Sequence, residues 1–288
     1  MRLDNLLADT EDLTLVLTPE SAGQLEIAAV VHDTRAVTPG ALFCCVPGAR
    51  VDGHDLAADA VERGAVALLV ERPVDVAVPQ LQVTSVRGAM GPLAATFWGR
   101  PSRRVPVVGV TGTSGKTTTT HLLASVLEHH GWPTAVIGTL SGPRTTPEAP
   151  ELQALLAAEV AAGRQAVSME VSSHALTLGR VRGTHFAVTV FTNLSHDHLD
   201  FHRDLDDYFE AKAMLFTAAY TDRAVVNLDD PRGAELARRS LVPTEGYSLL
   251  DATDLEVAPD RSRFRWRDVT IELPLGGRFN VSNALAVA

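Results

Sequence analysis

Two rhythms of apolar and polar positions run along this chain. In the first hundred residues short apolar runs stand between turn signals. Positions 27–31 and 41–46 read as strands, 66–70 as a buried strand and 81–83 as a shorter one. Helical spacing covers 55–63, stopped by Gly64, and 88–98. From residue 103 the alternation becomes regular. Strands are expected at 105–110, 135–137, 166–171, 188–192 and 224–227, and helices at 116–129, 151–162, 205–217 and 232–238. Such alternation predicts a mostly parallel sheet with helices on both faces and ligands at the carboxyl ends of its strands. The tail changes again: 255–257, 263–266 and 269–273 alternate as antiparallel strands, and 281–288 is an apolar helical run with no cap after it. The chain is therefore expected to stop inside or just after its second domain. The turn Gly99-Arg100-Pro101-Ser102 divides a first unit, residues 1–101, from a second, residues 102–288. The fold class expected is α/β: an N-terminal α/β domain, then a central domain with a mostly parallel sheet and a small antiparallel addition.

The strand at 105–110 feeds Thr111-Gly112-Thr113-Ser114-Gly115-Lys116-Thr117-Thr118 and then a helix. Strand, glycine turn and helix form the context of a phosphate-binding loop. Glycines let backbone N–H groups converge on an anion, and the helix N-terminus adds partial positive charge. Lys116 reaches the outer phosphates and the Thr117 hydroxyl suits Mg²⁺. Residues Gly112 to Thr118 are thus expected to bind ATP or another nucleoside triphosphate, within a P-loop ATPase-type domain. The common pattern has a glycine five residues before the Gly of Gly-Lys; here that position is Val110. The departure points to a subgroup with a shortened loop.

Composition narrows the partners. The 288 residues are 45% hydrophobic and 21% charged, as in ordinary soluble globular proteins. A formal charge of −10 argues against nucleic acid, whose phosphates need a basic face. No apolar run reaches the length of a membrane span and no N-terminal signal segment is visible, so a cytoplasmic location without membrane insertion is expected. The only cysteines, Cys44 and Cys45, are adjacent. Neighbours in a strand face opposite ways, so they read as small buried residues, not as a disulfide or a zinc site.

Further candidates follow the later strands. Glu170 ends the strand at 166–171 and is suited to holding Mg²⁺ directly or through water. Ser172, Ser173 and His174 come next, either as binding groups or as a helix cap with a surface histidine. The segment 191–202 is dense in Asn, Ser, His and Asp. Zinc would suit His-X-His, but Mg²⁺ prefers oxygen ligands, so His198 alone is taken as a ligand for a second metal ion. Lys212 sits in an amphipathic helical pattern; by spacing alone it is an exposed lysine, and desolvation beside a metal would let it lose its proton. Arg144, Thr145 and Thr146 offer hydroxyls and a cation to phosphate or carboxylate, or else cap the helix near Pro147.

Together these residues resemble the Mur ligase family, ATP-dependent amide-forming enzymes of bacterial cell-wall synthesis, and within it the members that add the third residue of the stem peptide. The likeness spans essentially the whole chain. It rests on Asp33-Thr34-Arg35, on positions 39–43, on Asp52-Gly53-His54, on Thr145-Thr146-Pro147-Glu148, and on 169–176 and 193–202. The resemblance implies that Thr117, Glu170, His198 and Lys212 hold Mg²⁺, with Lys212 carbamylated by CO₂. It makes Lys116, Lys212, Glu170 and His198 the catalytic set. Thr34 and the backbone near Cys44, Cys45 and Val46 would bind the uridine nucleotide; Thr145, Thr146, Ser172 and Arg180 would hold the muramoyl-peptide part. Residues 1–101 would then be the UDP-substrate domain and 102–288 the ATP domain. The reaction implied is attack of a γ-linked D-glutamate carboxylate on ATP, then aminolysis of the acyl phosphate.

Departures bound this transfer. Some members carry Gln where this chain has Leu178, and Thr34 stands where Ser is frequent. The family's C-terminal amino-acid-binding domain, with its Asp/Asn-Pro-Arg motif, has no counterpart in these residues; Asp230-Pro231-Arg232 has similar letters in another domain and receives no such role. The chain alone is accordingly expected to be inactive, to bind UDP-muramoyl-dipeptide and ATP, and to be a monomer. The amino acid added is left open. Two other functions are weighed: a folylpolyglutamate synthetase-like ligase, which the separate first unit counts against, and a nucleotide-binding scaffold without catalysis.

Overall fold

The structure, a computed structural model, describes residues 1–10, 15–17, 23–48 and 50–288. Ala49, in the loop before Asp52-Gly53-His54, lies outside the described residues. By contact the chain divides into two compact units. One comprises Met1–Pro101, Glu148–Ala158 and Leu178–Thr184; the other comprises Ser102–Pro147, Glu159–Thr177 and His185–Ala288.

The first unit contains helix α1 (Leu3–Asp9) and strands β1 (Leu15–Leu17), β2 (Ala29–Val31) and β3 (Ala41–Cys44). Helix α2 (Ala57–Glu62), β4 (Ala65–Val70), β5 (Gln80–Val83) and α3 (Val86–Phe97) follow. The sheet order is β1-β5-β4-β3-β2, parallel except for β1. Residues 41–44 are buried on both faces, as expected of a central parallel strand. One face packs Leu42, Leu69, Leu81, Met90 and Leu93 into a core that also takes Ala149; the other packs Phe43, Leu68, Val70 and Ala60. Helix α3 starts where Ser85 accepts the Gly88 N–H at 3.1 Å, two residues before the sequence-expected start.

The second unit contains β6 (Val107–Thr111), α4 (Lys116–His129), β7 (Thr134–Ile137), β8 (Ala166–Glu170), α6 (Ser173–Thr177) and β9 (Val188–Phe191). Helix α5 (Ala149–Ala161) falls between β7 and β8 in sequence and contributes residues to both units. Then come α7 (Leu205–Ala213), β10 (Ala224–Asn227), α8 (Pro231–Arg239) and β11 (Thr244–Tyr247). The six strands are all parallel, in the order β11-β10-β9-β6-β8-β7. After β6 the chain crosses to β7 and β8 on one side, while β9 lies on the other. The exit of β6 is therefore a topological switch point, where a crevice opens for ligand. Strands β12 (Ala252–Val257), β13 (Ser262–Trp266) and β14 (Val269–Leu273) form the small antiparallel sheet. Helix α9 (Arg278–Leu285) shares a core with it through Phe264, Leu273, Val281 and Leu285. The α/β fold, mostly parallel with a small antiparallel sheet, is the class expected from the sequence.

Four elements escaped the periodicity. Strand β1 is three residues long, helix α1 seven and α6 five, and β11 carries Glu245 and Gly246 at a sheet edge. The helix expected over 205–217 ends at Ala213 and tightens to a 3₁₀ turn over Met214–Phe216. Among the described residues no helix is long and apolar enough to cross a membrane.

Candidate active site

Register brings the site's pieces to one sheet edge. Val110 pairs with Glu170 of β8 and with Val190 of β9, so three strands end level. The turn leaving β6 needs glycine twice. Gly112 (φ +150°) and Gly115 (φ +87°) lie in left-handed backbone. A Cβ at Gly112 would collide with Thr192 Oγ1, and one at Gly115 with the Asn283 carboxamide.

The exit of β9 braces this turn. Thr113 N–H donates to the Asn193 carbonyl at 2.9 Å and Ser114 N–H to Asn193 Oδ1 at 3.0 Å. The Thr192 hydroxyl and the Asn193 amide donate to the Ser114 carbonyl at 2.7 and 3.1 Å. Ser195 N–H donates to Thr113 Oγ1 at 3.0 Å. The loop's shape is thus set from outside itself, by residues about 80 positions later. Asn227 extends the brace, donating to the Thr192 carbonyl at 2.8 Å, and Asp230 accepts the Leu194 N–H while capping α8. Asp230 in the Asp-Pro-Arg triplet is therefore a helix cap.

Two lysines meet on one acceptor. Lys116 Nζ donates to the Gly112 carbonyl at 2.8 Å and to the Thr113 carbonyl at 2.9 Å; Lys212 Nζ donates to the same Gly112 carbonyl at 3.0 Å. Lys212 is 1% exposed and its Nζ stands 4.4 Å from the centre of the Tyr208 ring. It is not the exposed lysine that helical spacing suggests. Burial pushes its pKa well below the ordinary lysine value and the Lys116 charge pushes the same way, against the pull of Asp197. Burial also lowers the Lys116 pKa, opposed by Glu170 and Asp197.

Glu170 is buried at the end of β8. Its Oε1 accepts from the Thr117 hydroxyl at 3.0 Å and from Thr139 N–H at 2.9 Å; its Oε2 accepts from the Thr139 hydroxyl at 3.2 Å. Thr145 Oγ1 lies 3.1 Å from Thr139 Oγ1. The Thr146 hydroxyl donates to the Glu170 carbonyl at 3.0 Å and accepts Ser172 N–H at 3.2 Å. Thr117, Glu170, Thr145, Thr146 and Ser172 are therefore one connected group. Ser172 Oγ accepts Ala175 N–H at 3.2 Å, so it also serves as a helix cap.

His198 belongs to a different cluster. Its backbone is left-handed (φ +55°), its ring lies 4.9 Å from that of His174 and 5.8 Å from that of Tyr208, and its Nε2 is 3.7 Å from Asp197. His174 stacks on Phe201 at 4.0 Å. The buried His202 bridges Ser173 Oγ at 2.9 Å and Asp207 at 3.3 Å. Tyr208, 3.2 Å from Thr113 Oγ1, ties this cluster to the phosphate loop. Among the described residues no three His, Cys, Asp or Glu side chains gather as a metal cage.

The strand ends of the first unit look different. Cys44 and Cys45 are fully buried, and burial pushes both thiols up, Cys45 to about 12. Gly53 packs its Cα against the Cys45–Val46 backbone, where a Cβ would collide. His54 fixes that approach. It accepts Glu71 N–H at Nε2 (2.9 Å), so its proton is on Nδ1, 2.6 Å from Asp52. Thr34 opens a 3₁₀ turn that Asp33 caps. Arg180 forms an ion pair at 2.9 Å with Glu148.

Models of two domains match this chain. One described as the Mur ligase middle domain covers residues 110–288, and one described as Mur ligase family, catalytic domain, covers residues 26–98. The chain belongs to the Mur ligase family. It is 43% identical over 306 residues to a UDP-N-acetylmuramoyl-L-alanyl-D-glutamate–2,6-diaminopimelate ligase of Streptomyces coelicolor, covering 97% of this chain and 60% of the relative. A ligase of the same name from Geobacter metallireducens is 44% identical over 308 residues, with 96% and 60% covered. A solved structure bearing that name superposes with a TM-score of 0.83 at 27% identity, over 100% of this chain and 63% of its own. The Mur ligase chain described here thus spans about 60% of the length of these curated relatives.

Proposed function

We propose that the protein is an ATP-dependent ligase that joins an amino acid, 2,6-diaminopimelate, to the D-glutamate of UDP-N-acetylmuramoyl-L-alanyl-D-glutamate in peptidoglycan synthesis. The observation that carries this reading is the convergence of Lys116 and Lys212 on the Gly112 carbonyl, in a loop whose Thr117 is bonded to the buried Glu170. The names of the relatives support the choice of acceptor and amino acid.

In this reading residues 102–288 bind ATP, with Gly112, Thr113, Ser114, Gly115, Lys116, Thr117 and Thr118 around its phosphates. Residues 1–101 bind the UDP substrate through Thr34 and the backbone of Cys44, Cys45 and Val46. Thr145, Thr146, Ser172 and Arg180 hold the muramoyl peptide. The substrate carboxylate attacks the γ-phosphorus, a P–O bond forms as the bond to ADP breaks, and the amine then displaces phosphate to leave an amide. Two anions must approach each other. Lys116 and the loop N–H groups offset that repulsion from fixed positions. The Thr117 hydroxyl and Glu170 carboxylate are hard oxygen donors and fit Mg²⁺, with His198 assigned to a second ion. Bound magnesium would supply further charge neutralisation.

Lys212 is read as a carbamate. A neutral amine is the form that adds CO₂, and burial beside Lys116 favours it. The N–C bond forms, one proton leaves the amine, and a neutral group beside Lys116 becomes an anion.

Calorimetric titration of the chain with Mg-ATP, UDP-muramoyl-dipeptide and dihydrofolate tests the assignment. Binding of the first two is expected. A response to nucleotide alone would indicate a scaffold, and a response to the folate in place of the muramoyl peptide would indicate the other ligase.

A further inference from the structure

We propose that Arg87 and Glu148 are positioning residues: a two-residue clamp that sets the guanidinium of Arg180 for the substrate's peptide carboxylate. The inference rests on the assignment of Arg180 to the muramoyl peptide and extends it to two residues that no motif singled out for a role.

Glu148 is buried, and its two oxygens are divided. Oε1 lies 2.9 Å from Arg180 Nε and Oε2 accepts from Arg87 Nη1 at 3.3 Å. Its backbone is fixed as well, because the Glu148 carbonyl accepts the Leu152 N–H at 2.8 Å in the first turn of α5. Arg87 has a second task. The same Nη1 donates to the Leu178 carbonyl at 3.4 Å. A Cβ at Gly179 (φ +67°) would stand 3.1 Å from the Arg87 carbonyl. Backbone at 178, backbone at 179 and side chain at 180 are therefore all referenced to α3 and to the start of α5. Both anchors are rigid: Val86, Ala89 and Met90 beside Arg87, and Ala149 beside Glu148, belong to one buried core.

An arginine has four side-chain torsions, and freezing them on binding costs affinity. The Glu148 carboxylate, ion-paired with the guanidinium before substrate arrives, removes part of that cost and keeps the cation in place for a carboxylate partner. The contact at 178 uses main chain, so it is indifferent to whether that residue is Leu, as here, or Gln.

A double-mutant cycle read by calorimetry with UDP-N-acetylmuramoyl-L-alanyl-D-glutamate tests the clamp. Arg180→Met and Glu148→Gln are each expected to weaken binding about tenfold. Adding Glu148→Gln to Arg180→Met should then change little, because Glu148 acts through Arg180. UDP-N-acetylmuramoyl-L-alanine, which lacks the D-glutamate, should bind all variants alike. If Glu148→Gln weakens binding equally in both backgrounds, or weakens the shorter ligand as much, the clamp is overturned while the assignment of Arg180 stands. If Arg180→Met itself has no effect, that assignment fails and the clamp with it. Arg87→Met repeats the cycle should Glu148→Gln unfold, with thermal unfolding of each variant as the control.

Discussion

Both units are built on an α/β sheet of mainly parallel strands, and they end those strands in opposite ways. In the second, the strand exits carry charged and hydroxyl side chains: Lys116 after β6, Glu170 on β8, Thr192 and Asn193 after β9. In the first, the exit of β3 carries Cys44, Cys45 and Val46, whose side chains are buried. What that edge presents is backbone, shaped from behind by Gly53 and the Asp52–His54 pair. In the proposed function the second unit's edge serves chemistry, which needs charge, and the first unit's edge serves recognition through main-chain N–H and C=O groups, which needs only a held shape. The contrast predicts that substitutions in the two units fail in different currencies, rate in one and fold or shape in the other.

The sharpest break concerns Lys116. In a protein that carries the family's amino-acid-binding domain as well, removing the cation from the loop should lower the rate of phosphoryl transfer about 10³-fold or more, with the unfolding temperature nearly unchanged. Retained turnover in Lys116→Ala would remove the phosphate loop from the chemistry. Lys212→Ala should come next, costing turnover about 10²-fold and regaining part of it with added short carboxylates. No rescue in a well-folded variant would sink the carbamate. The wild-type pH dependence has a defined sign. Only the neutral amine adds CO₂, and the Lys212 pKa lies well below the ordinary 10.5. Uptake of ¹³C from labelled bicarbonate should therefore rise with pH and level off below 10.5. A midpoint at the ordinary lysine value would contradict the buried, Lys116-coupled site.

The recognition edge should break at Gly53 and not at the cysteines. Gly53→Ala forces a Cβ into the Cys45–Val46 backbone and should weaken UDP binding about tenfold. Cys44→Ser should leave UDP affinity within about twofold while costing about 1–3 kcal/mol of stability, because it buries a hydroxyl among Leu42, Leu69 and Leu81. Equal effects of both substitutions on affinity would erase the distinction between the two sheet edges.

The same contrast explains what could be read from the chain. The phosphate loop announces itself locally, since strand, glycines, Lys-Thr and helix are contiguous. Glu170 follows from the rule that ligands gather at strand ends. Lys212 does not: its helix is amphipathic by spacing, and only the packing of α7 against the loop turns an expected surface lysine into a buried one. The brace from Thr192 and Asn193, the Asn283 carboxamide over Gly115 and the Arg87–Glu148–Arg180 chain were also invisible. Each joins residues 32 or more positions apart through sheet register or helix packing. A single sequence encodes such pairs without marking them. The signal available for Asn193 was its place directly after a strand at the switch point. In the first unit the motif Asp52-Gly53-His54 was visible as letters, but its physical role, a lock behind β3, needed the hydrogen bond from Glu71.

The smallest effect belongs to the exposed turn at Asp33-Thr34-Arg35. The Arg35 guanidinium and N–H beside Asp33 hold its carboxyl down at about 2. A carboxylate whose folded value lies below its unfolded 3.8 stabilises the fold fully above 3.8, and that contribution is lost as pH falls from 3.8 through about 2. The Arg35 side chain stands 86% exposed, so water screens the pair and its worth is small. Asp33→Asn should lower stability by that small amount at neutral pH and by nothing once pH has fallen well below 2. Its effect on UDP affinity should be the larger of the two, because the turn that Asp33 caps begins at Thr34. A loss of stability at pH 7 with unchanged affinity would mean that the turn serves the fold alone, and would restrict the recognition edge to the backbone of β3.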